Sequence, residues 1–114
     1  MTLDAEQLRH AMRAWTTGLT GVTATYDGQQ YGMTVNSFTS ISLEPPLVAL
    51  ALKKLTHTHE LVEKSGEFAV TILAAHQKDL SDRFAGKHPE IKDRFEGVPT
   101  ETLLIDAPLL KGGI

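Results

Sequence analysis

The chain contains no cysteine. That absence excludes disulfides, thiolate metal sites and a cysteine nucleophile together, and it suits a reducing, cytoplasmic compartment. Its longest apolar run, Leu47 to Leu52, falls far short of the ~20 residues that a bilayer-spanning helix needs. Met1 is followed by polar and acidic residues, unlike a secretory signal. Basic residues are scattered, Lys53-Lys54 is the single adjacent pair, and the net charge is −3, so nothing electrostatic speaks for nucleic acid as a partner. Neither a Gly-x-Gly-x-x-Gly fingerprint nor a Walker loop occurs, and there are no internal repeats.

What remains is ordinary globular material: 114 residues, 41% apolar and 22% charged. This predicts one domain over residues 1–114 with one core. Asp4-Ala5-Glu6-Gln7 has the form of a capping box, and Leu8, Met12 and Trp15 follow at helical spacing, so residues 4–15 read as an amphipathic helix with Met12 and Trp15 in the core. Residues 22–26 and 29–35 flank Asp27-Gly28 and read as a hairpin. Leu47 to Leu52 reads as a buried strand, and residues 67–73 as another. Thr56 or Thr58 caps a helix over residues 59–64, supported by Glu60 and Lys64 four apart and stopped by Gly66. A third helix covers His76 to Phe84, with Leu80 and Phe84 on one face, and a weakly helical polar stretch follows over residues 89–95. About four strands and three helices result. The hairpin argues against an all-parallel sheet.

The most informative segment is Thr34 to Ser42. It carries six hydroxyl or amide side chains and then meets Pro45-Pro46 and an apolar run. Each such group needs a partner if buried, so the segment lies at the surface or wraps a ligand rich in acceptors. If a phosphate is bound, the start of the helix near Thr56-His57-Thr58-His59 is the place for it, because free N–H groups and the helix dipole favour an anion there.

Three blocks carry a resemblance: Gly32 to Val48, Lys54-Leu55-Thr56-His57-Thr58, and Ser65 to Leu73. In order and spacing they resemble the flavin reductase-like family. The resemblance implies a mainly β fold with peripheral helices, an antiparallel FMN-binding split β-barrel, and a homodimer. It implies FMN, or FAD, held non-covalently, with NADH or NADPH as hydride donor and a monooxygenase as recipient of the reduced flavin. Thr34, Val35, Asn36, Ser37 and Ser40 fall where the isoalloxazine and ribityl chain lie. Lys54, Thr56 and Thr58 fall in the block that meets the flavin phosphate, Thr56 standing where the family commonly has Ser. Hydride transfer asks the protein to stack two rings and bind their edges, so no acid–base pair is required and no catalytic side chain is assigned. The family pattern continues with further strands after the block matching Ala107 to Gly112, including a Gly-x-His segment near the nicotinamide. The sequence ends at Ile114, before those strands, which would leave a sheet edge exposed.

Two other readings stay open: a non-catalytic FMN-binding or electron-carrying module, and a fragment that binds no flavin. The five histidines include His57 and His59, but no third ligand lies at zinc-like spacing. Asp79, Asp82, Glu90 and Asp93 read as one solvated helical face.

Overall fold

The computed structural model describes Thr2, residues 4–15 and residues 17–114. The β1–β2 hairpin organises it. Strands β1 (Thr20–Tyr26) and β2 (Gln29–Val35) pair antiparallel from Thr20 opposite Val35 to Tyr26 opposite Gln29. The turn residues Asp27 and Gly28 both take positive φ, 52° and 77°. That is the twist a two-residue hairpin requires, and Asp-Gly supplies it at little steric cost. Helix α1 (Ala5–Met12) precedes the hairpin, and its capping box is complete: Gln7 N–H donates to the Asp4 carboxylate at 2.7 Å and Asp4 N–H to Gln7 Oε1 at 3.0 Å.

After β2 come β3 (Thr39–Ser42), β4 (Leu47–Ala49), α2 (His57–Ser65), β5 (Ala69–Ile72), a single 3-10 turn at Ala75–Gln77 running into α3 (Lys78–Phe84), β6 (Thr100–Glu101) and β7 (Leu109–Leu110). The fold is mainly β with helices. Strand β1 is central, with β2 on one side and β5 on the other. The ribbons β3–β4 and β6–β7 form two further antiparallel sheets.

Helices α2 and α3 pack on this sheet. Phe84 of α3 is fully buried and meets Phe95 edge to face at 5.1 Å, with Leu110 completing the cluster against Leu73, Leu80 and Val98. Gly32 allows that approach, since a Cβ there would stand 2.8 Å from the Phe84 ring. Buried threonines join the sheet to the last segment. Thr23 Oγ1 donates to the Pro108 carbonyl at 2.6 Å, and Thr71 Oγ1 accepts the Leu110 N–H at 3.0 Å. Both hydroxyls are thereby satisfied, as burial demands.

Five expectations need correction. Leu47 to Leu52 is not a buried strand: β4 stops at Ala49, is exposed along its length and, among the described residues, pairs with β3 alone. Met12 and Trp15 are exposed rather than core, since α1 buries none of its residues and no described element covers its apolar stripe. Residues 89–95 form turns, not helix; Asp93 turns its carboxylate back to the Phe95 N–H at 3.0 Å, a local bond that competes with helix. Glu90 and Asp93 therefore share no helical face with Asp79 and Asp82. Among the described residues the strands number seven, the additional ones being short pieces in segments that carry no clear alternation.

Candidate functional site

The start of α2 combines a side-chain cap with an open cavity. Thr56, in extended conformation, is its N-cap: Oγ1 accepts the His59 N–H at 3.3 Å and donates to the Lys53 carbonyl at 2.8 Å. Of the two candidate caps the structure selects Thr56. Leu55 just before it takes φ of 70°, an uncommon left-handed conformation for a large residue, and leaves its side chain wholly exposed. The N–H groups of His57 and Thr58 have no helical acceptor, because the first turn provides none. A cavity of about 530 Å³ opens here, lined by Lys54, Leu55, Thr56, His59, Glu60 and Glu63.

Its charge is mixed, and the carboxylates are engaged. Glu60 accepts from Lys64 at 2.8 Å, and this bond holds the Glu60 carboxyl below its usual range and Lys64 above its own. Glu63 lies 3.6 Å from the His59 ring. Lys54 forms no salt bridge among the described residues, which leaves its ammonium and the helix dipole as the site's attraction for an anion.

Of the sequence-predicted residues, Lys54 and Thr56 share this cavity. Thr58 does not line it: the side chain is 1% exposed, and its Oγ1 is a buried side-chain polar atom without a partner. Thr34 turns toward α3 and donates to the Ser81 carbonyl at 2.6 Å. Val35 is buried, and its carbonyl accepts from Thr20. Asn36 is exposed, as is Ser40, which sits opposite Val48 in the β3–β4 ribbon. Ser37 is the link between the two halves of the prediction. Its hydroxyl accepts the Ala51 N–H at 2.9 Å and lies 3.2 Å from the Ala51 carbonyl, tying the donor-rich stretch to the segment that leads into Lys54 and Thr56.

Two features escaped the sequence. An apolar groove of about 380 Å³ runs along Val48, Leu50, Leu52, Val62 and Phe68 and shares His59 with the polar cavity, so apolar and polar recesses adjoin. The apolar run was visible as a signal, but its open groove was not. The second feature is a stack. The Tyr31 ring meets His57 edge to face at 4.8 Å, and the Arg94 guanidinium lies 4.6 Å from the Tyr31 centroid while Nη1 donates to the Gly32 and Phe84 carbonyls at 2.9 and 3.0 Å. No sequence spacing connects those three residues. Among the described residues no three His, Asp or Glu gather to hold a metal, and no helix is long and apolar enough to cross a membrane.

Residues 12–114 match the family model described as flavin reductase like domain. The chain belongs to that family. Among its curated relatives is the reductase subunit HsaB of a flavin-dependent monooxygenase from Mycobacterium tuberculosis, 33% identical over 112 residues, which cover 98% of this chain and 58% of HsaB. The FMN reductase (NADH) SmoA of Agrobacterium fabrum is 41% identical over 101 residues, 84% of this chain and 58% of SmoA. The solved structure of the NADH:FAD oxidoreductase SgcE6 of Streptomyces globisporus superposes with a TM-score of 0.87 at 36% identity, covering all of this chain and 70% of that one. This flavin reductase-like chain thus spans 58% of the length of HsaB and of SmoA.

Proposed function

We propose that the chain is the flavin-binding domain, over residues 1–114, of an NAD(P)H-dependent flavin reductase with an antiparallel split-barrel architecture. The observation that carries this reading is the junction at His59, where an apolar groove adjoins a polar cavity at a capped helix start. That junction fits a flat, largely apolar ring with an anionic tail. Lys54, the Thr56 hydroxyl and the free N–H groups of His57 and Thr58 would hold the phosphate. Val35, Asn36 and Ser40 would flank the ring and ribityl chain, while Thr34 and Ser37 brace the backbone through their bonds to Ser81 and Ala51. When bound, flavin supplies a hydride acceptor at N5. The chain's own task is to orient the rings and keep water from them, and no side chain is asked to move a proton.

FMN or FAD as cofactor and NADH or NADPH as donor accord with the names of SmoA and SgcE6, and a monooxygenase as recipient accords with that of HsaB. A homodimer is the natural cover for the exposed Ile41, Leu43, Leu47 and Val48 of the β3–β4 ribbon. A cytoplasmic setting agrees with the lack of cysteine. The test is titration of the purified chain with FMN, followed by flavin fluorescence and melting temperature. Binding raises the melting temperature, and Lys54→Glu weakens FMN about tenfold by setting a negative charge beside the phosphate. An unchanged melting temperature at saturating FMN and FAD overturns the reading. Binding without NADH oxidation makes the chain a flavin carrier instead.

A further inference from the structure

His59 lines both the polar cavity and the apolar groove, and the flavin reading gives its side chain no task. Its backbone N–H is spent on the Thr56 cap at 3.3 Å, which leaves the imidazole to the cavity. Helical side chains lean back toward the N-terminus, so a ring in the first turn of α2 reaches the recess that Lys54 and Thr56 also line. The side chain is only 29% exposed and shares the groove with Val48, Leu50, Leu52, Val62 and Phe68. An ionic contact made there is screened less than one in open water.

Few charges face the ring. In the cavity wall Lys54 stands with Glu60 and Glu63; Glu60 is held by Lys64 at 2.8 Å, and Glu63 comes within 3.6 Å of the imidazole Nδ1. The groove contributes no charged side chain from β4, from the segment after it or from Phe68. His57, two residues earlier, turns to the Tyr31 ring and lies 3.9 Å from Glu60. While the imidazole is neutral, Lys54 and Lys64 are balanced by Glu60 and Glu63, and the wall offers an anion no net charge. One proton on His59 makes it positive. Imidazole is the side chain that gains such a proton between about pH 5 and 8. The helix dipole opposes a cation in the first turn, so the proton is held best when an anion lies beside the ring.

We propose that His59 determines specificity for the phosphorylated flavin by taking up a proton from solvent as the phosphate binds. The inference rests on the flavin reading above and adds to it a residue and a proton. The sign follows from linkage: a bound phosphate favours the imidazolium, the bound state holds more protons than the free one, and His59's contribution to affinity grows as pH falls.

The Kd values of FMN and of riboflavin, which lacks the phosphate, are measured at pH 8 and pH 6 for the unaltered chain, His59→Gln and His59→Arg, with melting temperatures without flavin to check folding. A phosphate monoester itself titrates near pH 6, but it does so equally for every variant, so the ratio of Kd in His59→Gln to Kd in the unaltered chain removes its effect. For FMN that ratio should lie within about twofold of one at pH 8 and reach about fivefold at pH 6, while for riboflavin it stays the same at both. His59→Arg, a permanent cation, keeps FMN near the unaltered affinity at pH 6. An FMN ratio that does not move with pH overturns the inference, because no proton then accompanies the phosphate. A riboflavin ratio that moves as much as that of FMN overturns it too, since the ring is then what His59 senses, and so does an arginine variant that loses FMN as the glutamine variant does. If the unaltered chain binds neither flavin, the flavin reading itself falls, and the two failures are told apart by that chain alone.

Discussion

The central β1–β2–β5 sheet and the β3–β4 ribbon are both antiparallel and both rich in β-branched residues, yet they meet opposite fates. In the sheet Val22, Thr23 and Ala24 are wholly excluded from water. In the ribbon Ile41, Leu43, Leu47 and Val48 all stand exposed, Leu43 at 89%. The difference lies in what crosses each face. Helices α2 and α3 and the residues around Leu110 cover the sheet, whereas among the described residues β3 and β4 pair only with each other and face α2 across an open groove. Burial is therefore a property of the covering layers, and the same kind of sequence serves stability in one place and presents surface in the other.

Three substitutions probe that contrast, and the largest effect belongs to the sheet. Phe84→Ala empties the space between β2 and Phe95 and should destabilise the chain by about 3–5 kcal/mol, read from urea unfolding. A loss below 1 kcal/mol would mean that the sheet's cover contributes little, and the contrast would dissolve. Thr56→Ala lies at the border, on the helix that covers the sheet and at the mouth of the cavity. Loss of the cap bond to His59 should cost about 1 kcal/mol, with weaker FMN binding beside it, both followed in one thermal titration. The smallest effect belongs to the ribbon. Ile41→Ser should change monomer stability by no more than about 0.5 kcal/mol. If the ribbon is a dimer face, the same change raises the concentration at which the chain dimerises, measurable by sedimentation.

Much of the local architecture was legible. Asp27-Gly28 located the hairpin because few residues tolerate two successive positive φ values. Asp4 with Gln7, and Thr56 or Thr58 with Gly66, placed helix ends to within a residue or two because capping is a contact between near neighbours; the structure chose Thr56. Leu80 and Phe84 were rightly placed on one face, toward the Phe95 cluster. Lys54 and Thr56, near neighbours in sequence, do line one cavity, whereas Thr58, grouped with them on the sequence, does not.

The long-range parts were not. That Thr58 points into the protein with an unpartnered hydroxyl, that Ser37 grips Ala51, and that Arg94 reaches Tyr31 depend on the packing of segments far apart in sequence. The apolar run at Leu47 to Leu52 shows the limit most clearly. Hydrophobicity predicted burial, but burial requires a second layer, and composition does not say whether one is supplied.

By itself the sequence determined the hairpin, the capped helices, the donor-rich stretch and the family, because each rests on residues adjacent in the chain or on blocks held in fixed order. The tertiary structure alone decided which strand is central, which apolar residues stay exposed, and how the polar cavity and the apolar groove come to adjoin at His59. Those outcomes are set by which surfaces cover one another, and that is settled by the packing of the whole chain rather than by any local run of residues.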